Sequence, residues 1–318
     1  MKGRSLADIL LLAPLLPVVE EALHAHGLST ARAWEQPDDA ATLERLGPVR
    51  ALATTYGGPV SAALIERFPR LEIISVFGVG YDSIDLGAAA ARGVVVTNTP
   101  DVLTEEVADL TMGLLLCTVR ELPQADRFVR EGRWAQGPYP LTASLRDKTV
   151  GIFGLGRIGK AVARRCEAFG LSVAYHGRSP QDVPYRYYDA LVDLAREVDI
   201  LVITAPATRD TRGAVSAEVL SALGSDGVLI NVARGSLVDE PALVRALSSR
   251  TIRAAGLDVF AAEPHVPAEL LALDHVVVLP HVGSASLATR NAMGKLVADN
   301  LISWFAGKGP LTPVPETS

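Results

Sequence analysis

The sequence predicts an α/β protein of two doubly wound parallel-sheet (Rossmann-like) domains with an active-site cleft between them. Three observations lead there. Short aliphatic runs alternate with helical stretches along the whole chain. Those runs are almost continuously apolar, the pattern of strands covered on both faces. And 318 residues, 49% of them hydrophobic and 21% charged, are enough for about two packed domains without disulfide staples. Aromatic residues are only 5%, so the cores must be largely aliphatic.

The predicted strands follow in order. The first is 9–13. Lys2 and Arg4 ahead of the apolar stretch 9–19 imitate the start of a secretory signal. Asp8, Pro14 and Pro17 interrupt that pattern and no small-x-small cleavage site follows, so it reads as a strand turning into a helix. Strands at 51–54, 73–76 and 94–97 complete a first series. A second series runs through 149–153, 172–176, 200–204, 228–231, 254–258 and 276–279. Helices are predicted between them, among them 158–169 and 240–248. Strand–helix–strand repetition requires parallel sheets with helices on both faces. A seam falls near Asn98-Thr99-Pro100, because a residue before proline resists helix. A long helix, 104–122, starts just after it, with Glu105 and Glu106 suited to its first turn. The segment 132–147 is irregular. The predicted domains are 1–98 together with 285–318, whose helix 287–305 returns to the first sheet, and 99–284.

Charge and cysteines exclude several classes. The net charge is −6 without blocks of like charge, which argues against nucleic acid or an anionic membrane as partner. No run approaches the ~18 apolar residues of a membrane span. Cys117 and Cys166 sit in no CxxC pair and read as buried, inert thiols of a reducing, cytoplasmic compartment. No metal site is indicated.

Gly154-Leu155-Gly156-Arg157-Ile158-Gly159 directly follows a strand and opens a helix. In that context the motif predicts a dinucleotide site. Gly154 allows the tight turn, Gly156 lets a pyrophosphate approach the backbone, and Gly159 lets helix pack on strand. The helix N-terminus then meets the phosphate charge. A coenzyme lacking the 2′-phosphate is usually held by an Asp or Glu at the end of the next strand. Here that position is Gly177, followed by Arg178 and Ser179, with no carboxylate before Asp182. A guanidinium pairs with a 2′-phosphate, and the missing acid removes its repulsion. The expected cofactor is NADP(H).

Three titratable or charged residues follow strands of the second series: Arg234, Glu263 and His281. In an open parallel sheet, ligands bind beyond the carboxyl ends of the strands, so the three are expected on the coenzyme edge.

These motifs, with Gly78-Val79-Gly80-Tyr81-Asp82, Asn231 to Glu240, Gly256 to Pro264 and Pro280 to Ser284, resemble the D-isomer-specific 2-hydroxyacid dehydrogenase family over nearly the whole chain. Within it the chain is most similar to the NADPH-dependent glyoxylate/hydroxypyruvate reductases and the hydroxyphenylpyruvate reductases, with Gly177-Arg178-Ser179 and Asp239-Glu240 fitting that branch. The resemblance implies that Arg234 holds the 2-oxo acid, that His281 donates the proton, and that Glu263 orients the imidazole. It implies substrate-carboxylate contacts from the amides of Val79 and Gly80. It implies further coenzyme contacts from Thr104, Pro206, Thr211, Val232, Ala233, Asp258 and Gly283. On its residue type alone, Asp258 is equally a hydrogen-bond anchor at a strand end. The resemblance also implies a homodimer built on 104–122 and 132–147. Two other substrate readings stand: an arylpyruvate, with Phe77, Tyr81, Trp134 and Tyr139 lining the pocket rather than core or interface, and 2-ketogluconate. A non-enzymatic dinucleotide-sensing protein on the same fold is the alternative of another class. His24, His26, His265 and His275 read as surface residues, and His176 as a packing residue beside the adenosine.

Overall fold

The computed structural model describes residues 7–37, Thr42 and 46–318, so Lys2 and Arg4 lie outside the described residues. Contacts divide the chain into two units, Met1–Leu103 with Ser286–Ser318, and Thr104–Ala285. Each is built around a parallel sheet with helical crossovers.

The first unit's sheet runs in the order β2-β1-β3-β4-β5. Its strands are β1 (Ile9–Leu11), β2 (Thr30–Arg32), β3 (Ala51–Thr55), β4 (Ile73–Phe77) and β5 (Val95–Thr97). β4, paired on both sides, is buried along its whole length, which is why it reads as an apolar run broken only by Ser75. The stretch that imitates a signal is divided by its prolines. The strand stops at Leu11, and α1 (Pro17–Ala25) begins on Pro17, where a missing N–H costs nothing. Short helices α2 (Ala62–Glu66) and α3 (Leu86–Ala91) start on Ser61 and Asp85, whose side chains accept from Leu64 and Ala88 amides. The edge strand β2 was not predicted; Thr30-Ala31-Arg32 buries one residue and carries no aliphatic run.

The carboxyl-terminal segment belongs to this unit for identifiable reasons. The long helix Leu287–Phe305 packs on α1 and β4. A side chain at Gly294 would come within 2.8 Å of Val18, so glycine permits the close approach. Buried Asn300 accepts from the amides of Leu311 and Thr312 at 2.9 and 3.0 Å and donates to Leu296 O at 2.8 Å. Thr312 Oγ1 donates to Asn98 O at 2.6 Å, and the Val314 amide donates to Val96 O at 2.9 Å. An unsatisfied buried amide would cost about 1–3 kcal/mol, so Asn300 specifies the path of the tail.

The second unit begins with α4 (Thr104–Val119) and α5 (Leu122–Arg130), where a single helix over 104–122 is predicted. Pro123 explains the break. Its ring would clash with the carbonyl of Val119, so the helix ends there and Glu121 takes φ +52° before a new helix starts. The sheet runs in the order β12-β11-β10-β9-β6-β7-β8, all parallel. Its strands are β6 (Thr149–Phe153), β7 (Ser172–His176), β8 (Arg186–Tyr188), β9 (Ile200–Ile203), β10 (Val228–Asn231), β11 (Ala254–Leu257) and β12 (Val276–Val278). The unpredicted edge strand β8, Arg186-Tyr187-Tyr188, has no buried residue and no aliphatic run. Intervening helices are α6 (Arg157–Ala168), α7 (Leu191–Glu197), α8 (Ala217–Leu223), α9 (Glu240–Ser248) and α10 (Ala268–Leu271); the helix of the tail is α11. Leu194, Leu201, Leu229 and Leu247 are fully buried in the core on one face of this sheet. Each contributes about 1.5–3 kcal/mol against leaving it in water. The strand order turns around β6, which pairs with β7 on one side and β9 on the other. Such a switch point opens a crevice at the carboxyl ends of the strands. Among the described residues no helix is long and apolar enough to cross a membrane.

Candidate active site

The glycine motif sits in that crevice, between β6 and α6. Gly154 has φ +98°, and a Cβ there would lie 2.4 Å from Ala205 Cα. A Cβ on Gly159 would lie 2.4 Å from Gly154 O. Both glycines are therefore dictated by backbone contact. Gly156 differs: no protein atom lies within 4 Å of its Cβ position, so its backbone is open to a ligand. Thr204 Oγ1 donates to Gly154 O at 2.7 Å, and the Gly154 amide donates to His176 O at 2.9 Å, which pins the turn on both sides. Gly156 caps α6 without a side chain, so the amides of Ile158 and Gly159 lack intrahelical acceptors. Open glycine, helix N-terminus and parallel-sheet switch point together fit a dinucleotide pyrophosphate.

Beyond β7, Gly177 is followed by Arg178 and Ser179, both exposed. Among the described residues no acid pairs with Arg178. His176 is held by Nδ1 on Tyr188 O at 2.9 Å and packs at 5.5 Å from the Phe153 ring. In the next loop Thr211 Oγ1 donates to Pro206 O at 2.8 Å and accepts from the Thr208 amide at 2.8 Å, so Pro206–Thr211 is closed by its own side chains.

Arg234, Glu263 and His281 follow three adjacent strands, β10, β11 and β12. Each is held by a local device. Asn231 at the end of β10 donates from Nδ2 to Arg234 O at 2.9 Å and accepts the Ala233 amide at 3.1 Å, which fixes the turn Val232–Ala233–Arg234. Asp258 at the end of β11 is 1% exposed. Its carboxylate accepts from the amides of Val282 and Gly283 at 2.7 and 2.8 Å, and its carbonyl accepts the His281 amide at 2.8 Å. Asp258 is therefore an anchor for the histidine loop. Burial pushes its carboxyl above the ordinary range, while the two amides pull the other way. This clamp holds His281 at φ +55°, a left-handed conformation that side chains seldom adopt.

His281 Nδ1 and Glu263 Oε2 lie 2.7 Å apart. Glu263 Oε1 accepts the Phe260 amide at 3.0 Å. Burial pushes the Glu263 carboxyl up, but His281, the Phe260 amide and the nearby Arg234 charge outweigh it and hold the group below its ordinary value. Glu263 is thus an ionised acceptor for the imidazole. With Nδ1 engaged, Nε2 is the nitrogen directed to other chemistry.

Two residues of this site went unassigned in the sequence. Glu240, at the start of α9, accepts the Ala261 amide through Oε2 at 3.1 Å. Gly235 lies against the Phe260 carbonyl, where its Cβ position is 1.9 Å from the carbonyl carbon. The loop carrying Glu263 therefore rests on the segment carrying Arg234. Glu240 stood inside a quoted motif, but no spacing rule links it to residue 261.

In the first unit, Val79 and Gly80 follow β4. The Gly78 amide donates to Thr99 Oγ1 at 3.1 Å and Asn98 Nδ2 donates to Val79 O at 2.8 Å, so the loop is fixed from β5's side. The amides of Val79 and Gly80 donate to no protein group among the described residues. Phe77 is 4% exposed and serves the core under the Arg290 guanidinium. In the second unit, Trp134 is exposed, and Tyr139 packs edge-on against Phe128 while donating to Glu121 at 2.9 Å. Thr104 stands half-buried at the start of α4. Thr111 is buried and donates to Val107 O at 2.7 Å. His24, His26 and His265 are exposed; His275, expected at the surface, is half-buried with Nε2 3.2 Å from Leu247 O.

Residues 112–283 match the model of the D-isomer specific 2-hydroxyacid dehydrogenase, NAD binding domain, family. The chain is 48% identical over 308 residues to a glyoxylate/hydroxypyruvate reductase A of Arabidopsis thaliana, covering 96% of this chain and 98% of that one. It is 45% identical over the same length, with the same coverage, to a hydroxyphenylpyruvate reductase of Plectranthus scutellarioides. A crystal structure of an NADPH-dependent glyoxylate/hydroxypyruvate reductase from Sinorhizobium meliloti, in complex with NADP and malonate, superposes with a TM-score of 0.93 at 53% identity, covering 98% of each chain.

Proposed function

The chain belongs to the D-isomer-specific 2-hydroxyacid dehydrogenase family, and from that premise we propose that it is an NADPH-dependent reductase of small 2-oxo acids, glyoxylate and hydroxypyruvate. The observation that carries this reading is the His281–Glu263 pair at 2.7 Å, on strands neighbouring Arg234 in the sheet that bears the open glycine loop. Reduction of a 2-oxo acid needs a cation for its carboxylate, a proton for the developing alkoxide and a held coenzyme. Arg234 supplies the first and polarises the carbonyl. His281 gives its Nε2 proton to the alkoxide oxygen and regains one from water. Glu263 keeps the ring oriented and balances its charge while it is protonated. Val79 and Gly80 offer amides to a carboxylate.

The glycine loop, with Pro206, Thr211, Val232, Ala233 and Gly283, would hold the dinucleotide, and Thr104 its nicotinamide end. Bound there, the reduced nicotinamide supplies the hydride. Exposed Arg178 with Ser179, and the missing acid beside them, support the 2′-phosphate coenzyme. Leu122, Val129, Trp134 and Leu141 are all exposed within 122–141, which supports a homodimer through that segment. The free thiols Cys117 and Cys166 support a reducing, cytoplasmic location.

The test is steady-state oxidation of NADPH and NADH with glyoxylate, hydroxypyruvate, hydroxyphenylpyruvate and 2-ketogluconate. Glyoxylate and hydroxypyruvate with NADPH should give the highest kcat/KM. His281→Ala should lower kcat by about 10²–10⁴ and leave NADPH binding intact. NADPH binding with no turnover of any 2-oxo acid would instead make the chain a dinucleotide-binding protein.

A further inference from the structure

The segment between β7 and β8 is tethered in a way the coenzyme motif does not explain. Arg178, Ser179 and Pro180 are exposed, yet the residues on either side are fixed. At one end Tyr187 Oη stands 3.2 Å from both Gly177 O and Asp189 Oδ1 and shares its one proton between them. At the other, the Gln181 amide donates to Tyr175 Oη at 2.6 Å, and Tyr175 is fully buried. The Gln181 side chain then turns back and donates from Nε2 to Leu155 O at 2.9 Å. Leu155 lies between Gly154 and Gly156, so one side chain joins the arm bearing Arg178 to the loop that would cradle the pyrophosphate.

We propose that Gln181, with Tyr175 and Tyr187, is a specificity-positioning residue that holds the Arg178–Ser179 arm at a set place beside the glycine loop, ready for a 2′-phosphate. A long, exposed guanidinium on a loose loop must be ordered when it binds, which costs both side-chain and backbone entropy. Tethers at both ends meet the backbone share of that cost during folding. The glycine loop does not depend on Gln181 for its own shape, because Thr204 and the His176 carbonyl pin Gly154 separately. Loss of Gln181 should therefore loosen the arm and spare the cradle. The inference rests on the coenzyme reading above.

The experiment compares wild type, Gln181→Ala and Tyr187→Phe. Calorimetry measures the Kd of 2′,5′-ADP and of 5′-AMP, which share the adenosine 5′-phosphate and differ in the 2′-phosphate. In Gln181→Ala the Kd of 2′,5′-ADP should rise about five- to tenfold, the worth of one hydrogen bond, with 5′-AMP unchanged within about twofold. Kinetics should show the same split: KM for NADPH rises, while kcat and KM for NADH hold. Tyr187→Phe keeps the ring against Tyr175, removes the tether on Gly177, and should move in the same direction. Equal weakening of both probes would overturn the proposal by placing Gln181 in the cradle itself. Unchanged binding of both probes in the two variants would overturn it as well. A wild type that binds the two probes alike would refute the coenzyme reading, and this inference with it, before any variant is measured.

Discussion

Gly235→Ala perturbs the loop that carries Glu263 without replacing any member of the triad. A Cβ at Gly235 would stand 1.9 Å from the Phe260 carbonyl carbon, 2.2 Å from its oxygen and 2.3 Å from the Ala261 nitrogen. These are backbone atoms, so no side chain can swing aside, and the loop must retreat by about 1 Å. The Phe260 amide is the one that holds Glu263 Oε1 at 3.0 Å. A retreat of that size draws Glu263 away from His281 and stretches their 2.7 Å contact out of hydrogen-bond range. A misplacement of about 1 Å at a reacting group costs about 10²-fold. Overpacking costs about 1–3 kcal/mol of stability, or about 3–10 °C in Tm for a unit of this size. The assay is kcat/KM with glyoxylate and NADPH, beside a thermal melt and NADPH binding. Expected are a fall in kcat/KM of about 30–100-fold, a lower Tm and near-normal NADPH binding. Gly87→Ala is the control: exposed in α3, its Cβ would meet only Asp85 Oδ1 at 3.5 Å. It should leave activity unchanged and Tm equal or slightly higher. Wild-type kcat/KM in Gly235→Ala would refute the placing of Glu263 by this loop.

Three further outcomes are expected. Glu240→Ala removes the acceptor of the Ala261 amide and should lower kcat about threefold to tenfold, while Glu240→Gln, which can still accept, should restore most of it; equal losses in both would show that charge rather than tethering matters. The Glu263 carboxyl is held below its ordinary value of 4.5, so the stability it contributes is present above that value and is lost as pH falls through the lower folded value. The Tm difference between wild type and Glu263→Gln should accordingly be largest at neutral pH and shrink below about pH 4; a difference independent of pH would contradict the ionised pair. Burial pushes the Cys166 thiol up to about 12, so at pH 8 a disulfide reagent should leave it unmodified in the native protein and label it only after denaturation.

What the sequence determined by itself was the alternation of strands and helices, the glycine turn, and which residues follow which strands. These are local properties. A buried parallel strand writes its apolar run into consecutive residues, and within one strand–turn–helix unit Gly154 is required by its φ of +98° and Gly159 by the Gly154 carbonyl. The predicted helix 104–122 stopped short of Pro123 but overran the observed end at Val119 by three residues, and the helix starting at Leu122 was not predicted. The edge strands β2 and β8 were illegible because Thr30-Ala31-Arg32 and Arg186-Tyr187-Tyr188 are mostly unburied and carry no aliphatic run, whereas the equally short edge strands β5 and β12 do.

Only the tertiary structure decided how the chemistry is held. From its position alone Asp258 is not marked as an anchor; the bonds it accepts from Val282 and Gly283 show that it ties down the His281 loop. Glu240 and Gly235 gain meaning from a loop more than twenty residues away, and Gln181 from the carbonyl of Leu155. Hydrogen bonds and close backbone contacts between distant segments depend on register and loop path, which no single-residue pattern encodes. Residue types at strand ends are written in the chain, whereas the tethers that set their distances arise when separate loops meet.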